Sequence, residues 1–109
     1  MAEQTVTREQ ALANINRDID LAEQRVEIAQ EEIQRWESKR VAAAETVGVL
    51  AEERNPQLEQ AVLRARQRQE IAEQQSYRWN QEKSYAETNI AALSDLRQRR
   101  LAEGASFTG

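Results

Sequence analysis

Apolar residues in the first half of the chain recur at alternating steps of three and four. The series runs Leu12, Ile15, Ile19, Ala22, Val26, Ala29, Ile33 and Trp36, then Ala43, Val47 and Leu50, with Arg40 and Arg54 in the same frame. That spacing is the a/d stripe of a coiled coil, which keeps one seam facing a partner helix. The second half repeats it through Leu58, Val62, Ala65, Ala72, Trp79, Ala86, Ile90 and Leu93, interrupted by Gln69, Ser76, Lys83, Arg97 and Arg100. Two long helices are predicted, over 8–53 and 56–103, each roughly 70 Å long at 1.5 Å per residue.

Local signals mark the ends. Thr7-Arg8-Glu9-Gln10 reads as a capping box, with Val6 and Ala11 placed as a hydrophobic staple. The chain's one proline lies in Arg54-Asn55-Pro56. There Asn supplies an N-cap, and Pro at the first helical position loses no hydrogen bond. The heptad phase slips by one residue across this turn (54–56), which predicts a chain reversal. Gly104 is expected to stop the second helix, leaving 1–7 as an N-terminal extension and 104–109 as a flexible tail. The fold class is therefore all-α: an antiparallel coiled-coil hairpin over 8–103, expected to dimerise into a four-helix bundle.

Folding one helix back on the other pairs Leu50 with Val62, Val47 with Ala65, Ile33 with Trp79, Trp36 with Ser76, Val26 with Ala86, Ala22 with Ile90 and Ile19 with Leu93. Large residues face small ones, as close packing requires. An internal repeat agrees with this register. Gln24-Arg25-Val26-Glu27-Ile28-Ala29 matches Gln67-Arg68-Gln69-Glu70-Ile71-Ala72, and Arg35-Trp36 matches Arg78-Trp79. Together they imply a pseudo-two-fold axis near the middle of both helices. Trp36, Trp79, Ile33 and Ser76 would form the core centre there. Arg40 would face Ala72 and Lys83 would face Ala29. Both cations then have room to reach water, and as polar seam residues they would set register.

A second apolar row lies outside the seam. Leu21, Ile28, Ala42 and Val49 recur every seven residues, broken at Arg35, and Ile71, Tyr85 and Ala92 do the same on the second helix, broken at Arg78. The seam of a lone hairpin carries too many polar residues to offset its chain entropy comfortably. Leu21, Ile28, Val49, Ile71 and Tyr85 are therefore the expected association face, with a second copy of the chain as the favoured partner and another protein as the alternative.

Composition narrows the chemistry. The 109 residues include no Cys and no His, and 15 Lys+Arg stand against 19 Asp+Glu. Residues 1–54 are net acidic, whereas 55–109 are slightly basic. Disulfides, thiol nucleophiles and His-based metal sites are excluded. Glu23, Glu27 and Glu31 stack at helical spacing, but the Glu-x-x-His motif of bundle metal sites is missing, and a solvated acidic face is expected. There is no Gly-rich phosphate loop and no G-x-S-x-G elbow. No catalytic residue, metal, cofactor or small-molecule substrate is expected. The longest apolar runs fall far short of the roughly 20 residues of a membrane span, and MAEQTVTREQ is unlike a signal peptide, so a cytoplasmic setting is expected.

Two arginine clusters on the second helix, Arg64/Arg66/Arg68 and Arg97/Arg99/Arg100, support an alternative as a nucleic-acid-binding accessory protein. Against it, the chain is acidic overall, and residues two apart on a helix point to different sides. No family pattern transfers a function. The Trp-x-Gly turn of the secreted WXG-type hairpins is replaced by Glu53-Arg54-Asn55-Pro56, and the second loop of a spectrin-like repeat is missing. The reading that remains is a non-enzymatic structural or adaptor coiled coil.

Overall fold

The computed structural model describes residues 7–107. Two helices account for nearly all of them: α1 spans Arg8–Glu53 and α2 spans Glu59–Phe107, joined by a 3₁₀ turn at Pro56–Leu58. The predicted caps are formed. The Thr7 hydroxyl accepts the Gln10 amide at 3.1 Å, and the Gln10 side chain accepts the Thr7 amide at 3.2 Å, completing the capping box. Val6, the other half of the expected staple, lies outside the described residues.

At the turn, the Asn55 side chain accepts the Gln57 amide at 3.0 Å, with Pro56 opening the next helix. Two details differ from expectation. The first turn after Pro56 is 3₁₀ rather than α, because the Leu58 amide bonds the Asn55 carbonyl three residues back, at 2.9 Å. At the other end, α2 runs through Gly104 to Phe107 instead of stopping at 103. Glycine terminates a helix by taking a left-handed conformation, and no described glycine has a positive φ. The left-handed residue is Arg54, with φ 50°, directly after α1. It lets the chain leave the helix at a cost of about 1 kcal/mol relative to glycine.

Cα packing divides the chain into two compact units, Ile28–Lys83 and Met1–Glu27 with Ser84–Gly109. The Ile28–Lys83 unit is a helical hairpin. Its buried residues are Ala29, Ala43, Ala65, Ala72 and Ser76, and the larger seam residues Ile33, Trp36, Val47, Val62 and Trp79 are half-buried. The other unit pairs the start of α1 with the end of α2. It buries Ile15, Ile19, Ala22 and Ala86, flanked by half-buried Leu12, Val26, Ile90 and Leu93. Every buried residue among those described lies on the seam read from the heptad pattern. Only the two outermost seam positions, Arg54 and Arg100, are exposed. The core is built mainly from alanine, and no large described side chain is fully enclosed.

The pairing of the helices follows the expected register. In the hairpin unit Ser76 reaches Glu37, next to its predicted neighbour Trp36, and Leu50 and Val62 share one hollow beside the turn. In the other unit Ala22 and Leu93 line one groove, and Arg97 donates to the Asn16 side chain at 3.1 Å. Among the described residues no helix is long and apolar enough to cross a membrane.

Candidate functional site

The hairpin unit gathers its polar chemistry around Trp36. The indole Nε1 donates to Glu32 Oε2 at 3.1 Å, one turn back on α1, and the Lys39 ammonium sits 4.4 Å from the ring centroid. One residue on, Glu37 binds Arg40 through Nη2 at 3.0 Å and Nε at 3.2 Å. Its other oxygen, Oε1, accepts the Ser76 hydroxyl from α2 at 2.8 Å. Arg40, Glu37 and Ser76 thus form a chain of hydrogen bonds from one helix to the other. The Arg40 guanidinium, and after it the Ser76 hydroxyl, holds the Glu37 carboxyl below its ordinary value of 4.5. The same carboxylate raises Arg40.

This arrangement adds to the expected seam. Arg40, its side chain 35% exposed, is bound by Glu37, a residue the seam analysis did not single out. The i,i+3 spacing of Glu37 and Arg40 was the available signal. Ser76 is the one buried polar side chain among the described residues, and Glu37 satisfies its hydroxyl. Lys83, the matching seam cation on α2, makes no ion pair among the described residues. Trp36 and Trp79 are half-buried, as are the other large seam residues of the hairpin unit.

The expected association residues are exposed: Leu21 at 49%, Ile28 at 53%, Val49 at 60%, Ile71 at 51% and Tyr85 at 72%. In the hairpin unit, Ala42 of α1 and Ile71 of α2 come together on one side. They line a groove of about 400 Å³ with Trp36, Lys39, Ala43 and Arg68. In the other unit Leu21 lines a smaller groove of about 170 Å³ with Asp18, Arg25 and Asn89. A second exposed set, Val41, Leu63, Tyr77 and Leu101, escaped the sequence reading. Leu63 and Tyr77 also stand in one heptad row, two repeats apart, about 100° around α2 from Ile71 and toward the other flank of the hairpin unit. Extending the heptad lettering beyond the first extra row would have found them.

The arginine clusters are dispersed. Arg68 lines the groove beside Ile71, whereas Arg66 lines the hollow of about 540 Å³ by the turn. In the other cluster Arg97 bonds Asn16, Arg99 pairs with Asp95 at 2.7 Å and Arg100 pairs with Glu103 at 3.1 Å. No group of three or more acidic side chains is positioned to hold a metal among the described residues. The geometry defines an all-α helical hairpin with apolar residues exposed on its sides. Compared with protein-family models, curated proteins and solved structures, the chain matches none of them.

Proposed function

We propose that this chain is a non-enzymatic structural or adaptor protein that works by self-association, with two hairpins packing into a four-helix bundle as the smallest assembly. The observation that carries this reading is exposed apolar surface: Leu21, Ile28, Val49, Ile71 and Tyr85 are each 49% or more exposed, which is surface that a self-interface would cover. The exposed apolar rows in each unit are the material for such an interface.

Light scattering across a concentration range tests the reading. A mass of about 25 kDa or more, twice the 12.5 kDa chain, is expected for the unaltered protein. Ile28→Lys with Ile71→Lys is expected to shift it toward monomer while leaving its helical circular dichroism in place. A well-folded monomer at every concentration overturns the reading, and would leave these rows to a different protein.

A further inference from the structure

Both sides of the hairpin unit expose apolar residues, but the two sides carry opposite charge. The Ile71 side bears Arg35, Lys39, Arg64, Arg68 and Arg78. Its acids are fewer: Glu32, Glu53 and Glu82. Of these, Glu32 already accepts the Trp36 indole and lies 3.5 Å from Arg35. The Leu63 side leans the other way: Glu37, Glu59, Glu70 and Glu73 stand with Arg66, with Arg40, which Glu37 binds, and with Arg54, which lines the hollow by the turn beside Glu59 and Leu63. The unit at the chain ends repeats the acidic half of this pattern. Glu23, Glu27 and Glu87 surround Val26 and Ile90 on the side away from Leu21.

We infer that copies of this chain associate head to tail. The basic side of one hairpin unit, centred on the groove of Trp36, Lys39, Ala42, Arg68 and Ile71, receives the acidic side of a second copy. That side presents Leu63 and Tyr77 between Glu59, Glu70 and Glu73. The inference rests on the self-association proposed above and names which surfaces meet. Packing the basic side against itself would bring Lys39, Arg64 and Arg68 of two copies together, a like-charge contact that complementary interfaces avoid. The opposite pairing matches charge and buries apolar residues from both sides. A contact between two different surfaces leaves one of each free at the ends, so it continues past the dimer into a ring or an open stack. The attraction acts between exposed groups, within a Debye length of about 8 Å at physiological salt, so added salt weakens it.

Light scattering on the full chain, with salt titration and two charge reversals, tests the inference. The unaltered protein is expected to exceed dimer mass as concentration rises, and to dissociate toward monomer in 1 M NaCl. Lys39→Glu with Arg68→Glu, and separately Glu70→Lys with Glu73→Lys, should each weaken association at least tenfold. An equimolar mixture of the two variants should restore it, because each then offers the other an opposite charge. A mass that stops at the dimer, or association untouched by the Glu70/Glu73 reversal, overturns the head-to-tail contact and leaves self-association standing. A monomer under every condition overturns both. Circular dichroism checks that the variants stay helical. Should either unfold, the salt series on the unaltered chain decides alone: association unchanged or strengthened by salt overturns the inference.

Discussion

Trp36 and Trp79 occupy matching positions in the two helices, and their surroundings differ in kind. Beside Trp36 stand Glu32, Glu37 and Arg40; at the matching places beside Trp79 stand Gln75, Asn80 and Lys83. The carboxylates of α1 accept from the indole, from the seam arginine and from the opposite helix. The amides of α2 do none of this: Asn80 donates back to the Ser76 carbonyl of its own helix, at 2.9 Å. Only the cations near the rings are alike in type. Even there Arg78 lies 5.8 Å from the Trp79 centroid, against 4.4 Å for Lys39 over Trp36.

The heptad frame is thus equal in the two regions, and the flanking positions are what separate them. A charged acceptor makes stronger hydrogen bonds than a neutral amide and can serve two donors at once. Glu37 uses that capacity to tie Arg40 to Ser76, turning a polar seam residue into a link between helices. Among the described residues Lys83 makes no ion pair, although Glu87 follows it four residues along the chain.

The largest expected effect is at the rings themselves. Trp36→Ala should cost about 3 kcal/mol in urea unfolding, and Trp79→Ala about 1 kcal/mol less, the difference being the indole hydrogen bond and the closer cation. Equal costs would break the comparison. Next come matched positions with opposite backbone states. Arg54 is left-handed while Arg97 is helical. Arg54→Gly should therefore gain about 1 kcal/mol, and Arg97→Gly should lose a similar amount, read from the same unfolding curves.

Acid sensitivity gives a smaller test. The Glu37 carboxyl is held below 4.5 in the folded protein. Its stabilising contribution is then complete above the ordinary glutamate range and is lost as pH falls through the depressed value. Glu37→Gln should lower stability at pH 7 and flatten the decline below 4.5, whereas Asn80→Gln should leave the pH profile unchanged. Parallel profiles for the unaltered chain and the Glu37 variant would remove the link. The smallest effect comes from placing a carboxylate at the position that matches Glu37. Asn80→Glu gives Lys83 an i,i+3 partner worth about 0.3 kcal/mol, best seen as a salt-sensitive rise in melting temperature.

Much of the fold was legible in the chain because its signals are local or periodic. Thr7 and Gln10 lie within one turn of each other, and so do Asn55 and Gln57, so their caps depend on nothing distant. The three-four spacing that placed Ile15, Ile19, Ala29, Ala65 and Ala72 in the core follows from helix geometry once two helices form. The misses have the opposite character. Gly104 has a composition typical of a stop, yet the backbone stayed helical there. Glu37 sits outside the seam, and its bond to Ser76 exists only because α2 passes beside it. Leu63 and Tyr77 were missed for a different reason: their row is legible in the heptad lettering, which was followed only as far as the first row outside the seam.

The order of helix, turn and helix, the caps, and the stripe each helix buries were determined by the sequence itself, because each depends on residues within a few turns of one another. Tertiary structure alone decided which polar side chains meet across the seam, and which residues of the two helices line a groove together. Those outcomes depend on the register and rotation of one helix against the other. A shift of a single residue would take Ser76 away from Glu37 while leaving the local signals of both helices unchanged.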